Sequence, residues 1–86
     1  MVVRLLEKTS GKMKIHLFET GVQRIADALN IQNLLALYFN HSEINFDIAD
    51  YDGRGEMTLR IKSLDLEPQK VTRTIKALGY SCREVH

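Results

Sequence analysis

Apolar and polar residues alternate with a period of two in three stretches of the chain and recur at helical spacing in two others. In "KMKIHLF", Met13, Ile15 and Leu17 alternate with Lys14, His16 and Phe18, which predicts a strand with the first set turned inward. Residues 1–7 read as a strand before it, and "TSGK" between the two has the residues of a hairpin turn. Further on, "EINFDIAD" sets Ile44, Phe46 and Ile48 against Asn45, Asp47 and Ala49. "EMTLRIKS" sets Met57, Leu59 and Ile61 against Thr58, Arg60 and Lys62. Both predict half-buried antiparallel strands, and "YSCREVH" predicts a short last one.

The helical pattern begins in "ETGVQRIADALN", where Val22, Ile25, Ala26 and Leu29 fall at i, i+3, i+4 and i+7. Thr20 is placed to cap that helix, since its hydroxyl can accept a free backbone N–H. The next segment, "IQNLLALYFN", fits two patterns. Leu34, Leu35 and Tyr38 suit a helix, whereas Leu35, Leu37 and Phe39 suit a strand; the expectation is a helix that continues past a kink or break near Asn30, with 31–39 left open between the two. After "SLDLEP", Val71, Ile75 and Leu78 form a second stripe. Pro68 suits a first turn, where its missing N–H costs nothing, and Gly79 suits the end, because glycine enters the left-handed region freely.

Strand, helix, strand, strand, helix, strand is the split βαβ, or ferredoxin-like, order. The predicted fold is therefore α+β: a βαββαβ sandwich with an additional N-terminal strand, its antiparallel sheet covered by two helices on one face. Its 86 residues make one domain, 1–86.

Composition narrows the class. A chain that is 44% hydrophobic and 27% charged is of ordinary globular type. Its longest apolar run, Leu34 to Phe39, is far short of the roughly 18 residues of a membrane span. "MVVRLLEKTSGK" lacks the apolar core of a signal peptide. Cys82 is the only cysteine, so no internal disulfide forms and a reducing cytoplasm is expected. The net charge of +1 is segregated: +3 over residues 1–18, −5 over 19–52 and +3 over 53–86. Charge runs are most often solvated surface, but this layout also suits an acidic segment of one copy meeting a basic segment of another.

The stretch that most resembles a site is "DYDGRGEM" at 50–57. Set against the calcium loop D-x-[DN]-x-[DN]-G-x₅-E, with Gly53 as the invariant glycine, it puts Ile48 and Leu59 where the first and last oxygen donors belong. A phosphate loop would need a lysine after its second glycine and a helix to follow. Asp-Gly between two alternating runs is instead a hairpin signal. Asp50 and Asp52 on such an exposed turn have nothing to desolvate them and raise a pKa. Cys82 and His86 share a strand face, yet no C-x₂-C or H-x₃₋₅-H pair accompanies them. His16 and His41 are the available bases, but no nucleophile motif goes with them. "RIADALNIQNLLALYF" has the apolar spacing of a helix-turn-helix, with "INFDIADYDGRGEMTLRI" as a wing, although its second helix carries no cation for phosphate. The sheet face opposite the helices is expected to show Lys14, His16, Phe18, Asp47, Thr58, Arg60 and Lys62. RNA-recognition domains use that face with stacking aromatics; Phe18 is the one aromatic it would offer here.

The block "INFDIADYDGRGEMTLRIKSLDLEPQKVTRTIKALGYSCREV", about half the chain, resembles the second half of ferredoxin-like modules. It is similar to heavy-metal-associated domains, in which a strand hairpin precedes a helix ending in "I…LGY", and to ACT-type regulatory domains; "ALGY" at 77–80 carries the likeness. The resemblance implies the fold. It implies no metal, because "ETGVQR" stands where the metal domains have C-x-x-C. The expected function is a small non-enzymatic regulatory or protein-interaction module that self-associates, with no catalytic residue, cofactor or metal and no membrane contact. The alternative is nucleic-acid binding by a basic sheet face or a winged-helix-like element. Lys14, His16, Phe18, Arg60, Lys62, Lys70, Arg73 and Lys76 are the candidate contact residues in either case.

Overall fold

In the computed structural model, which describes residues 13–48, 53 and 55–85, the alternating and helical stretches become six elements. They are β1 (Lys14–Thr20), α1 (Ile25–Tyr38), β2 (Glu43–Phe46), β3 (Thr58–Ser63), α2 (Pro68–Ala77) and β4 (Cys82–Val85). The fold is α+β, with one four-stranded sheet in the order β2-β3-β1-β4 and every neighbouring pair antiparallel. The expected strand over 1–7 and its "TSGK" turn lie outside the described residues, as do Asp50, Tyr51, Asp52, Arg54 and His86.

The register assigns one phase of every strand to the core. Phe18 stands opposite Leu59, and His16 opposite Ile61. Ile44 and Phe46 of β2 pair with the same two β3 residues. Cys82 stands opposite Thr20. Phe18, Ile44, Phe46, Leu59, Ile61 and Cys82 join Ala28, Ile31 and Leu35 of α1 and Val71 and Ile75 of α2 in one hydrophobic cluster. Both helices therefore lie on the same side of the sheet, α1 nearest β2 and α2 nearest β4.

The face of β1 is the reverse of the expectation. Phe18 is fully buried, whereas Ile15 is 62% exposed. Over 13–18 both phases carry apolar side chains, so alternation gives a strand without saying which side is in. A shift of one residue exchanges the faces, and the choice is made further along. Phe18, Thr20 and Val22 share the buried phase, whereas Ile15 and Leu17 share theirs with exposed Glu19.

The first helix also departs from the sequence reading. Thr20 ends β1 and caps nothing: its hydroxyl donates to the Met57 carbonyl (2.8 Å) and accepts the Val22 N–H (3.3 Å). The helix starts at Ile25 and passes through Asn30 without a break, which makes 31–38 helical. Its buried stripe is Ala28, Ile31 and Leu35, so Ile25 and Leu29 are left partly exposed. Without a turn inside α1, the helix-turn-helix reading loses its second helix. Gln32 on α1 accepts the Phe46 N–H (3.1 Å) and so ties α1 to the edge strand β2.

The later elements follow the sequence closely. Pro68 opens α2, and Val71 and Ile75 are its buried stripe, although Leu78 is partly exposed. Gly79 takes φ +98°, with its N–H on the Lys76 carbonyl and that of Tyr80 on Ile75, which closes the helix. Gly53, between β2 and β3, has φ +86°; its neighbour Asp52 lies outside the described residues, and with β2 ending at Phe46 and β3 starting at Thr58 the connection is longer than the tight turn expected at "DG".

Two residues of opposite phase on β1 test the face assignment. Phe18→Ala is expected to cost about 3–5 kcal/mol in urea unfolding, the usual loss for a buried phenylalanine. Ile15→Ala, measured at low protein concentration, is expected to stay within about 0.5 kcal/mol. The opposite ranking would mean that β1 presents its other phase to the helices.

Candidate functional site

Exposed polar residues on a sheet face are unremarkable, but exposed apolar ones aligned across strands are not. On the sheet face away from the helices, Ile15 lies beside Lys62, and Leu17 lies between Arg60 and Val85. Ile15 is 62% and Val85 39% exposed, and Leu17 is partly exposed. A shallow depression of about 250 Å³ adjoins them, bounded by Ile15, Glu43, Asn45, Arg60 and Lys62.

Charges of both signs frame this patch. Arg60 Nη2 lies 3.5 Å from Asp47 Oδ1, and the Arg83 guanidinium donates to Glu19 on the adjacent strand. The Glu19 carboxylate holds the Arg83 guanidinium above its already high pKa, first through the hydrogen bond and then through its charge. Glu43 and Lys62 are opposite each other in the β2–β3 register. Among the described residues, Glu19, Glu43 and Asp47 balance Arg60, Lys62 and Arg83 on this face. The exposed pairs contribute little to stability; their effect is on which surfaces can approach.

The eight contact residues expected from sequence do not form one surface. Arg60 and Lys62 lie on the open face. Lys14, His16 and Phe18 belong to the opposite phase of β1: Phe18 is in the core, and the partly buried His16 Nδ1 is 3.2 Å from Glu84 Oε2 on the same side. Lys70, Arg73 and Lys76 sit on α2, in the helical layer beyond the sheet. The stacking platform expected of Phe18 is thus corrected by its burial. The residues missed are Ile15, Leu17 and Val85. Their signal was Glu19, whose parity marks the solvent phase of β1.

The helical side offers other chemistry. Burial pushes the Cys82 thiol up, and a hydrogen bond with Thr72 and the charge of Lys76 offset this only in part. Loss of hydration raises the Tyr80 phenol, and the Asp27 carboxylate beside it adds to the effect by its charge and by accepting its hydrogen bond. Among the described residues, no three His, Cys, Asp or Glu side chains converge on a point where a metal ion could be held. No helix among them is long and apolar enough to cross a membrane.

No known family model matches the chain, and neither a curated protein nor a solved structure is significantly similar to it.

The thiol gives a test of this environment. Cys82 should react with a disulfide reagent far more slowly in the folded protein than in urea at the same pH, because only exposed thiolate attacks. A raised folded pKa makes its contribution to stability complete below the ordinary thiol range and lost as pH rises through the raised value. Alkaline unfolding curves of Cys82→Ala should therefore fall less steeply with pH than those of the parent. Equal labelling rates in the folded and unfolded states would contradict the burial.

Proposed function

We propose that the chain is a ferredoxin-like βαββαβ module that acts by association rather than catalysis, and that its contact surface is the open face of the sheet against a second copy. The element order and the strand order β2-β3-β1-β4 support the fold reading. The observation that carries the functional reading is Ile15, the most exposed side chain of an apolar patch whose charged surround is balanced among the described residues. Two such faces do not repel each other, and each offers carboxylates to the other's cations. Apolar centre and polar rim is the general arrangement of protein interfaces. The lone buried thiol fits a reducing cytoplasm, where a regulatory or assembly role needs no cofactor. Nucleic acid is the less favoured partner. Among the described residues, the open face carries as many carboxylates as cations and no aromatic ring, and the α2 cations lie on the other side of the sheet.

Size-exclusion chromatography with light scattering is expected to show a dimer. Ile15→Glu should weaken it at least about thirtyfold, the loss of one central contact, while the far-ultraviolet spectrum stays that of the parent. A parent that remains monomeric at all concentrations, and that shifts with short RNA only at low salt, would overturn this reading.

A further inference from the structure

The helical side of the sheet has a surface of its own. Each helix has more contact with the sheet than with the other helix. They run antiparallel: Tyr38, at the end of α1, shares a depression with Lys70, near the start of α2, and Asp27, near the start of α1, shares another with Leu78, just past α2. The two depressions, of about 560 and 250 Å³, lie end to end and make one groove between the helices. From Asp27 to Tyr38, at about 1.5 Å of rise per residue, it is about 16 Å long. Its floor is apolar, with Ile31 and Leu34 at one end and Phe39 and Ala77 at the other. Tyr38 is 64% and Leu78 43% exposed along it.

Charge is uneven along the groove. Among the described residues, Lys70 and Arg73 line the end near Tyr38 and no carboxylate does. Lys70 is 3.7 Å from Glu67, an exposed pair of little strength. The Arg73 guanidinium has neither an ion pair nor a hydrogen bond among the described residues. At the opposite end the Asp27 carboxylate already accepts the hydrogen bond of the Tyr80 phenol. We propose that this groove binds an amphipathic helix of a second protein, apolar along one face and with carboxylates beside the end of that face that meets Lys70 and Arg73. Recognition of a helix in a groove uses apolar anchors at i, i+3, i+4 and i+7, and about 16 Å accepts three turns of them. A carboxylate at the cationic end gives Arg73 the partner it lacks, in the forked geometry that guanidinium and carboxylate share. A second copy of the chain does not fill the site in a symmetric contact, which sets the same surface on both sides, because a groove is not its own complement. Nucleic acid suits it less, since phosphates would leave the apolar floor uncovered.

The test is a ¹H–¹⁵N NMR titration of the full chain with designed peptides of about 18 residues, long enough to form helices. All carry leucine at i, i+3, i+4 and i+7, and their flanking positions are glutamate in one, lysine in the second and serine in the third; a short poly-uridine RNA is run beside them. Saturable shifts at Leu34, Tyr38, Arg73 and Ala77 are expected with the glutamate peptide, at an affinity at least about fivefold above that of the lysine peptide. Arg73→Glu, an exposed change that leaves the fold intact, should reverse that order. Three results would sink the proposal: no saturable shift at these residues with millimolar glutamate peptide; an order of affinities that is flat, or that Arg73→Glu leaves unchanged; or larger shifts at these residues with the RNA than with any peptide. The groove and the open face lie on opposite sides of the sheet, so Ile15→Glu should bind the glutamate peptide as tightly as the parent, whatever the outcome for the dimer.

Discussion

The parity of β1 is the constraint on which the rest depends. This strand has a neighbour on each side, β3 and β4, and its register fixes theirs. With Phe18 inward, Thr20 and Val22 follow it into the core, and the Thr20 hydroxyl meets the Met57 carbonyl and the Val22 N–H. The alternative phase would bury Ile15 and Leu17 but would carry Glu19 in with them. An isolated carboxylate in a core costs far more than two aliphatic side chains recover. The ionic residue at the end of the strand, not its apolar beginning, therefore decides the face.

That distinction explains what was legible in the sequence. In β2 and β3 only one phase is apolar: Ile44 and Phe46, then Leu59 and Ile61, are all buried as their alternation indicates. In α2 a narrow stripe, Val71 and Ile75, is bounded by Pro68 and Gly79, and the element appears where these residues place it. β1 and α1 differ because apolar residues occupy more than one of their faces. Ile25, Leu29 and Leu37 stand outside the buried stripe of α1. Local periodicity then identifies an element without its orientation, which only packing against the sheet supplies. Asn30 gave a false boundary for a related reason. Its modest helix propensity is a small local term, and burial of Ile31 and Leu35 on the same face outweighs it.

The candidate surface was harder to read than the fold because it depends on parity twice. A list of cations shows charge but not neighbourhood. Once β1 is turned over, Lys14, His16 and Phe18 leave the open face and Ile15, Leu17 and Glu19 replace them. Among the described residues, a face expected to be basic becomes charge-balanced with an apolar centre, which is why the proposed partner is a protein and not a polyanion.

The open face also separates the demands of folding from those of association. Single exposed apolar side chains are ordinary. Leu17 and Val85, however, are direct cross-strand partners, and Ile15 follows on the same face of β1. A solvated sheet face serves a lone domain equally well with threonine at such positions, since threonine keeps the strand preference without an apolar surface. The core on the helical side is complete without these three residues, with Phe18, Leu35, Leu59, Ile61, Val71 and Ile75 fully buried. Among the described residues, nothing in the fold of a single copy asks for a second apolar patch beyond the sheet. A partner that covers it would supply the burial those side chains otherwise lack.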